Sequence, residues 1–209
     1  MTRPKQERAV RTREAILMAA AEMFDEFGYS AAGVSKILQR AGVTQGAMYF
    51  HFKSKEDLGR AVLLEQAATL TLPAAPGGLQ QLIDLTLHLG YELQHNVLLR
   101  AGVRLAVEQG EAGLLVDFTV YHMWIDLFRA ELDLARERGE LLPQVVGAEF
   151  ARVLVASFTG TQLMSHLESG RRDLPEHIAV LWNYLLPGIA TPATLARLTV
   201  DVERGKAAS

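Results

Sequence analysis

Thr44-Gln45-Gly46-Ala47 is a run of small or polar residues, followed closely by Tyr49, Lys53 and Lys55. These types can do the chemistry of reading a duplex. The Gln45 amide is both donor and acceptor, so it can pair bidentately with an adenine edge in the major groove. Gly46 lets a backbone come close to a partner because nothing projects from its Cα. Tyr49, Lys53 and Lys55 suit phosphate oxygens, contacts that position a protein on DNA without reading sequence. Upstream, Arg8, Arg11 and Arg13 could add backbone or minor-groove contacts from an N-terminal arm.

Such groups work only if a rigid element presents them. Thr44 is a good N-cap for a very short helix running to about Phe50. A helix that short does not stand alone, so packing must hold it. Tyr49, Phe50 and Phe52 supply apolar area for that, leaving Thr44 to Ala47 facing outward. Before it, Ile16, Ala20, Met23, Phe24 and Phe27 form one helical stripe that Gly28 ends. Val34, Ile37, Leu38 and Ala41 mark a second, shorter helix closed by Gly42. Ala41-Gly42-Val43 is then the tight turn of a helix-turn-helix, whose second helix offers its first turn to the major groove. Ser54 caps a fourth helix, with Glu56 and Asp57 in its dipole-favoured first turn. On spacing alone, a packed corner of two helices remains open as an alternative.

The 209 residues are 49% apolar and 22% charged, which fits a soluble globular protein. Cysteine is absent, so disulfides and thiolate metal sites are excluded. The basic N-terminus lacks an apolar segment behind it and does not read as a signal peptide. No run approaches the roughly 20 apolar residues that span a bilayer, and a cytoplasmic protein is expected. Net charge is -3 but uneven: residues 1–60 hold ten Lys/Arg against seven Asp/Glu, the rest 11 against 17. A basic head on an acidic body suggests two parts with two tasks.

Beyond a Pro-Gly break at 72–78, the spacing predicts helices at about 79–95, 97–109, 115–138, 147–168, 175–187 and 192–204. Gly110, Gly113, Gly139, Pro143, Gly170, Pro175, Pro187 and Pro192 punctuate them. Strand-type alternation is not sustained anywhere. The expected fold is all-α: a helix-turn-helix domain over 1–53, a connecting helix over 54–72, and a helical ligand-binding and dimerisation domain over 73–209. The six histidines (His51, His88, His95, His122, His166, His177) show no i,i+3 or i,i+4 pairing. With no phosphate loop or nucleophile elbow either, neither an enzyme, a metal nor a cofactor is expected.

Residues 28–58, GYSAAGVSKILQRAGVTQGAMYFHFKSKEDL, resemble the DNA-binding domain of the tetracycline-repressor (TetR) family. Ala-Gly-Val, Ser/Thr-x-Gly-x-x-Tyr, His-Phe and the Lys-Glu-x-Leu-like Lys-Glu-Asp-Leu carry the resemblance. Two departures stand out. The family's Thr pair is here Ala32-Gly33, which weakens a cap and removes an expected phosphate contact. Gln45 stands where relatives often have lysine, which implies a different base preference.

The resemblance implies a homodimer that places two heads about 34 Å apart on an inverted-repeat operator. It puts the dimer contact on the last two long helices, with Phe150, Leu154, Phe158, Val180, Leu181 and Trp182 as interface candidates. Residues 97–110, VLLRAGVRLAVEQG, and Gly160-Thr161 are similar to the γ-butyrolactone autoregulator receptors within that family. This implies a transcriptional repressor of secondary-metabolite or antibiotic genes, released by a diffusible lactone, butenolide or furan-type signal. By approximate alignment Gln66, Trp124 and Thr161 would contact the signal, with Tyr91, His95 and Gln162 as further candidates. A body that answers another apolar ligand, or none, stays open.

Overall fold

Ile16, Ala20, Met23 and Phe24 are buried, as their spacing predicts, in a first helix whose backbone breaks at Gly28, where the sequence ends the stripe. The computed structural model describes residues 3–68, 77–112 and 119–206. Its helices are α1 (Arg3–Ala31), α2 (Val34–Ala41), α3 (Gln45–His51), α4 (Lys55–Ala68), α5 (Leu79–His95) and α6 (Val97–Ala112). Then come α7 (Thr119–Glu137), α8 (Gly147–Ser169), α9 (Leu174–Ile189) and α10 (Pro192–Leu195), and last a 3₁₀ turn at Val202–Lys206. The all-α expectation holds: among the described residues the sole extended pairing is an isolated bridge between Leu141 and Ala190.

The chain forms two compact units. The first holds α1 to α4 together with α6, which packs on α1 and α4. Its interior is Ile16, Phe24, Ile37, Met48, Leu58 and Leu63. The second holds α5 and α7 to α10. There α5 is buried on most of its faces, the pattern of a central helix. Trp182 of α9 is fully buried in this unit, and its indole Nε1 donates to Thr86 Oγ1 of α5 at 2.7 Å. Arg204 reaches back to Asp84 with a 2.7 Å bond, tying the C-terminal 3₁₀ turn to α5.

Several expectations need correction. Phe27 is exposed, with the Lys36 ammonium 5.8 Å from its ring centroid. The α1 backbone breaks at Gly28, and the turn beyond the break buries Tyr29 instead, 5.6 Å from Phe24. Arg8, Arg11 and Arg13 lie within α1, not in an arm. Gly110 falls inside α6, and Pro187 inside α9. Pro187 lies in the last turn of α9 and has no amide to donate to the Asn183 carbonyl, so that turn lacks one ladder bond. The expected helix at 192–204 is one short turn plus a 3₁₀ turn. Residues 69–76, which hold the end of the expected connecting helix and most of the expected break, lie outside the described residues. So does 115–118 of the predicted 115–138 helix.

Leu154 and Trp182, expected at a dimer face, are core residues. A side chain with no exposed surface has nothing left to give a second subunit. Of the expected set, Val180 is exposed and Phe150, Phe158 and Leu181 are half-buried. The other large apolar residues that α8 and α9 expose are Val153, Leu163, Met164, Leu167 and Tyr184, with Leu167 at 76% and Tyr184 at 83% exposure.

Candidate nucleic-acid interface

The turn between α2 and α3 is built as the sequence indicates. Gly42 ends α2 in the left-handed region with φ 64, and its amide donates back to the Gln39 carbonyl. Thr44 caps α3, its Oγ1 accepting from the Ala47 amide at 3.3 Å. The α2 N-cap is Gly33, without a side-chain bond, so the weaker cap expected from the missing Thr pair is present. Two contacts that spacing did not suggest hold α2 on α1. Arg40 makes ion pairs with Glu26 at 3.2 Å and Glu22 at 3.6 Å.

The anchor of α3 differs from expectation. Met48 is wholly buried and Phe52 nearly so, whereas Tyr49 is 50% and Phe50 79% exposed. A helix turns 100° per residue, so if Met48 points inward Tyr49 and Phe50 cannot. The Arg13 guanidinium lies 5.5 Å from the Phe52 ring and 3.8 Å from Glu65, so this arginine braces the head internally.

The remaining face is open. Thr44, Gln45 and Gly46 are exposed, Ala47 half-buried, and Tyr49 and Phe50 stand beside them. A Cβ added at Gly46 would meet nothing within 4 Å, and its φ is not left-handed. The fold therefore does not require glycine there, although glycine in a helix costs about 0.5–1 kcal/mol relative to alanine.

The two lysines are not equivalent. Lys53 is exposed, and its amide donates to Asp57 at 2.9 Å in the box that starts α4. Ser54 caps α4 as expected, accepting from the Asp57 amide at 3.1 Å. Lys55 instead folds back: its Nζ sits 4.4 Å from the Tyr29 ring centroid and donates to the Ser30 carbonyl at 3.4 Å. Burial lowers its pKa from the usual lysine value. Arg11 and Arg8 are exposed one helical turn apart on α1.

The residues expected to contact a small molecule fall in both units. Gln66 is fully buried in the first unit, against the bare Cα of Gly102 on α6; any side chain there would collide with it. In the second unit, Gln162 turns inward and its Oε1 accepts from the buried Arg171 Nε at 3.2 Å. That bond gives it an internal role. The Tyr91 and His95 rings meet at a tilt of 58°, their centroids 4.7 Å apart. Trp124 is half-buried 6.2 Å from Phe128, and Thr161 is half-buried on α8. Burial raises the pKa of Tyr121, one turn from Trp124.

A capped helix-turn-helix with an open first turn defines a DNA-binding regulator rather than an enzyme. Residues 16–62 match the tetR family of bacterial regulatory proteins. The chain is 43% identical over 194 residues to the A-factor receptor protein of Streptomyces griseus, covering 93% of this chain and 69% of that one. It superposes on the crystal structure of TylP, a TetR regulator from Streptomyces fradiae, with TM-score 0.85 and 42% identity, over 96% and 97% of the two chains. A crystal structure described as a γ-butyrolactone receptor, ArpA-like, matches with TM-score 0.78 and 30% identity over 96% and 99%. The chain belongs to the tetR family of bacterial regulatory proteins. Among the described residues no helix is long and apolar enough to cross a membrane.

Proposed function

We propose that this protein is a dimeric repressor that binds an inverted-repeat operator and leaves it when a small diffusible signal of γ-butyrolactone, butenolide or furan type binds. Its targets are genes of secondary-metabolite or antibiotic production. The observation that carries the reading is the exposed first turn of α3, in a chain 43% identical to an A-factor receptor. Thr44, Gln45, Gly46 and Ala47 face the major groove, and Gln45 reads a base. Tyr49, Lys53 and Arg11 take phosphates, and Phe50 lies against the sugars or a thymine methyl. Lys55 contributes a phosphate contact only by giving up Tyr29.

The exposed apolar stripe of α8 and α9 makes the dimer, with the small residues Ala156 and Gly160 between its larger side chains letting two helices approach. Within the second unit, Trp124, Thr161 and Tyr91 are the polar and aromatic groups offered to the signal. Ligand can release DNA only by preferring the released state. A swing from 1:99 to 99:1 needs roughly 5.5 kcal/mol of differential affinity. The test is a gel shift on the operator selected by this protein from random DNA, titrated with lactones, butenolides and furans. Release by one of these chemistries is expected. DNA binding undiminished by all of them would leave a regulator that answers another apolar ligand or none.

Gln45→Ala is expected to lose about 1–3 kcal/mol of operator affinity and to relax preference at one position per half-site. Lys53→Ala should weaken all sequences alike and reduce the salt slope by about 1. Selection from random DNA with each variant separates the two. Uniform weakening by both would remove Gln45 from the base edge.

A further inference from the structure

Arg100, Arg104 and Glu108 are spaced four apart on α6 and share one face of it. All three reach the break in α1. Gly28 there has φ 77 and ψ 171, so the helical ladder is interrupted. In an unbroken helix the Tyr29 amide would donate to the Asp25 carbonyl. Here both halves of that bond are taken by α6. Arg104 Nη1 donates to the Asp25 carbonyl at 2.6 Å, and the Tyr29 amide donates to Glu108 Oε2 at 2.9 Å. The two α6 side chains also pair with each other, Arg104 Nε donating to Glu108 Oε1 at 2.7 Å. Arg100 Nε braces them by donating to the Asp25 carboxylate at 2.7 Å. A Cβ at Gly28 would lie 2.8 Å from Glu108 Oε1 and 2.9 Å from Arg104 Nη2, so the pair rests on a bare Cα.

The reading apparatus lies immediately beyond the break. Tyr29 carries Lys55 of α4 on its ring. Ala32 is buried, Gly33 starts α2, and the turn after α2 delivers α3. The angle at Gly28, together with the Arg40 ion pairs to Glu22 and Glu26, therefore sets where α2 and α3 stand on α1.

We propose that the Arg104–Glu108 pair is a wedge inserted into a single backbone hydrogen bond of α1, and that by holding this break open α6 positions the reading helix. Arg104 and Glu108 are thus positioning residues for DNA binding. Their role rests on the operator-binding reading and deepens it by naming an element that regulates it. The device is two-state. With the wedge in, Gly28 is left-handed and the break is held. With the wedge out, the Tyr29 amide closes onto the Asp25 carbonyl, Gly28 becomes helical, and α2 and α3 swing with it. One backbone bond then replaces two side-chain bonds, while Arg104 and Glu108 keep their bond to each other, so the two arrangements differ by few hydrogen bonds. The wedge also accounts for both arginines of the Leu-Arg-Ala-Gly-x-Arg-Leu-Ala segment: Arg100 and Arg104 address α1, while Gly102 between them admits Gln66 of α4.

The test combines Gly28→Ala with the double variant Arg104→Met/Glu108→Ala in the full-length protein. In the wild-type background Gly28→Ala should lower the melting temperature, because the side chain meets the wedge and strains a left-handed φ. In the wedge-free background the same change should raise it, since alanine favours the closed helix. Loss of stability in both backgrounds would overturn the wedge, because the break would then persist without it. The double variant should bind the operator selected by the wild type roughly tenfold more weakly. Affinity within twofold of wild type would remove the positioning role. Failure of the wild type itself to select DNA would sink the operator reading, while the melting-temperature cycle would still decide the wedge.

Discussion

Met48→Ala is expected to abolish operator binding while the second unit stays folded. Met48 is the one residue of α3 that is wholly buried, and Met→Ala changes at such sites cost about 2–5 kcal/mol. The cost falls on a seven-residue helix, which is below the length that holds itself in water. Phe52 remains seated beyond the end of α3, but the first turn, which carries Thr44 and Gln45, loses its backing. Phe50→Ala is the control. Phe50 is so exposed that its removal should leave stability within about 0.5 kcal/mol of wild type, so any loss of DNA affinity reports a contact with the duplex. Fluorescence anisotropy on the selected operator, alongside calorimetry, reads both. Operator affinity retained within threefold in Met48→Ala would show that α3 is anchored elsewhere.

The second large effect separates core from interface on α9 and α8. Trp182→Ala should destabilise the protein by about 3–5 kcal/mol, lowering its melting temperature by roughly 10 °C. It also strips Thr86 of its indole donor in a buried setting. The dimer should survive, since Trp182 lies inside its own subunit. Leu167→Glu should do the opposite. Its side chain is exposed in the isolated chain, so each subunit folds, but a carboxylate at the centre of an apolar contact must be desolvated or expelled. Light scattering should then report a monomer with a folded circular-dichroism spectrum. If Trp182→Ala yields monomers without loss of subunit stability, core and interface have been exchanged.

Much of the fold was legible from residue order. Periodicity located α5, α6, α8 and α9 closely, and Gly42, Thr44 and Ser54 marked turn and caps where the structure has them. These are local effects: a cap bonds its own next turn, and a long stripe repeats often enough to define a face. The exposure of Thr44, Gln45 and Gly46 was legible for the same reason, because they sit at a helix start and lack apolar bulk. The inward turn of Gln162 was not. Gln162 looked polar and available, yet it bonds Arg171 from across the α8–α9 turn, a partner set by three-dimensional packing.

The sequence by itself determined that this is an all-α, helix-turn-helix protein, where most of its helices begin, and which short run stays exposed at the start of α3. Only the tertiary structure decided which bulky residues look inward. Seven residues make two turns, too few for a stripe to emerge, so the size of Tyr49 and Phe50 outweighed their direction, and Met48 was passed over. Only the structure placed Trp182 in the core, because burial within a subunit and burial between subunits select the same apolar residues. And only the structure put Arg104 and Glu108 into the break at Gly28. Nothing local in either segment records that residues nearly 80 positions apart exchange one backbone bond for two side-chain ones.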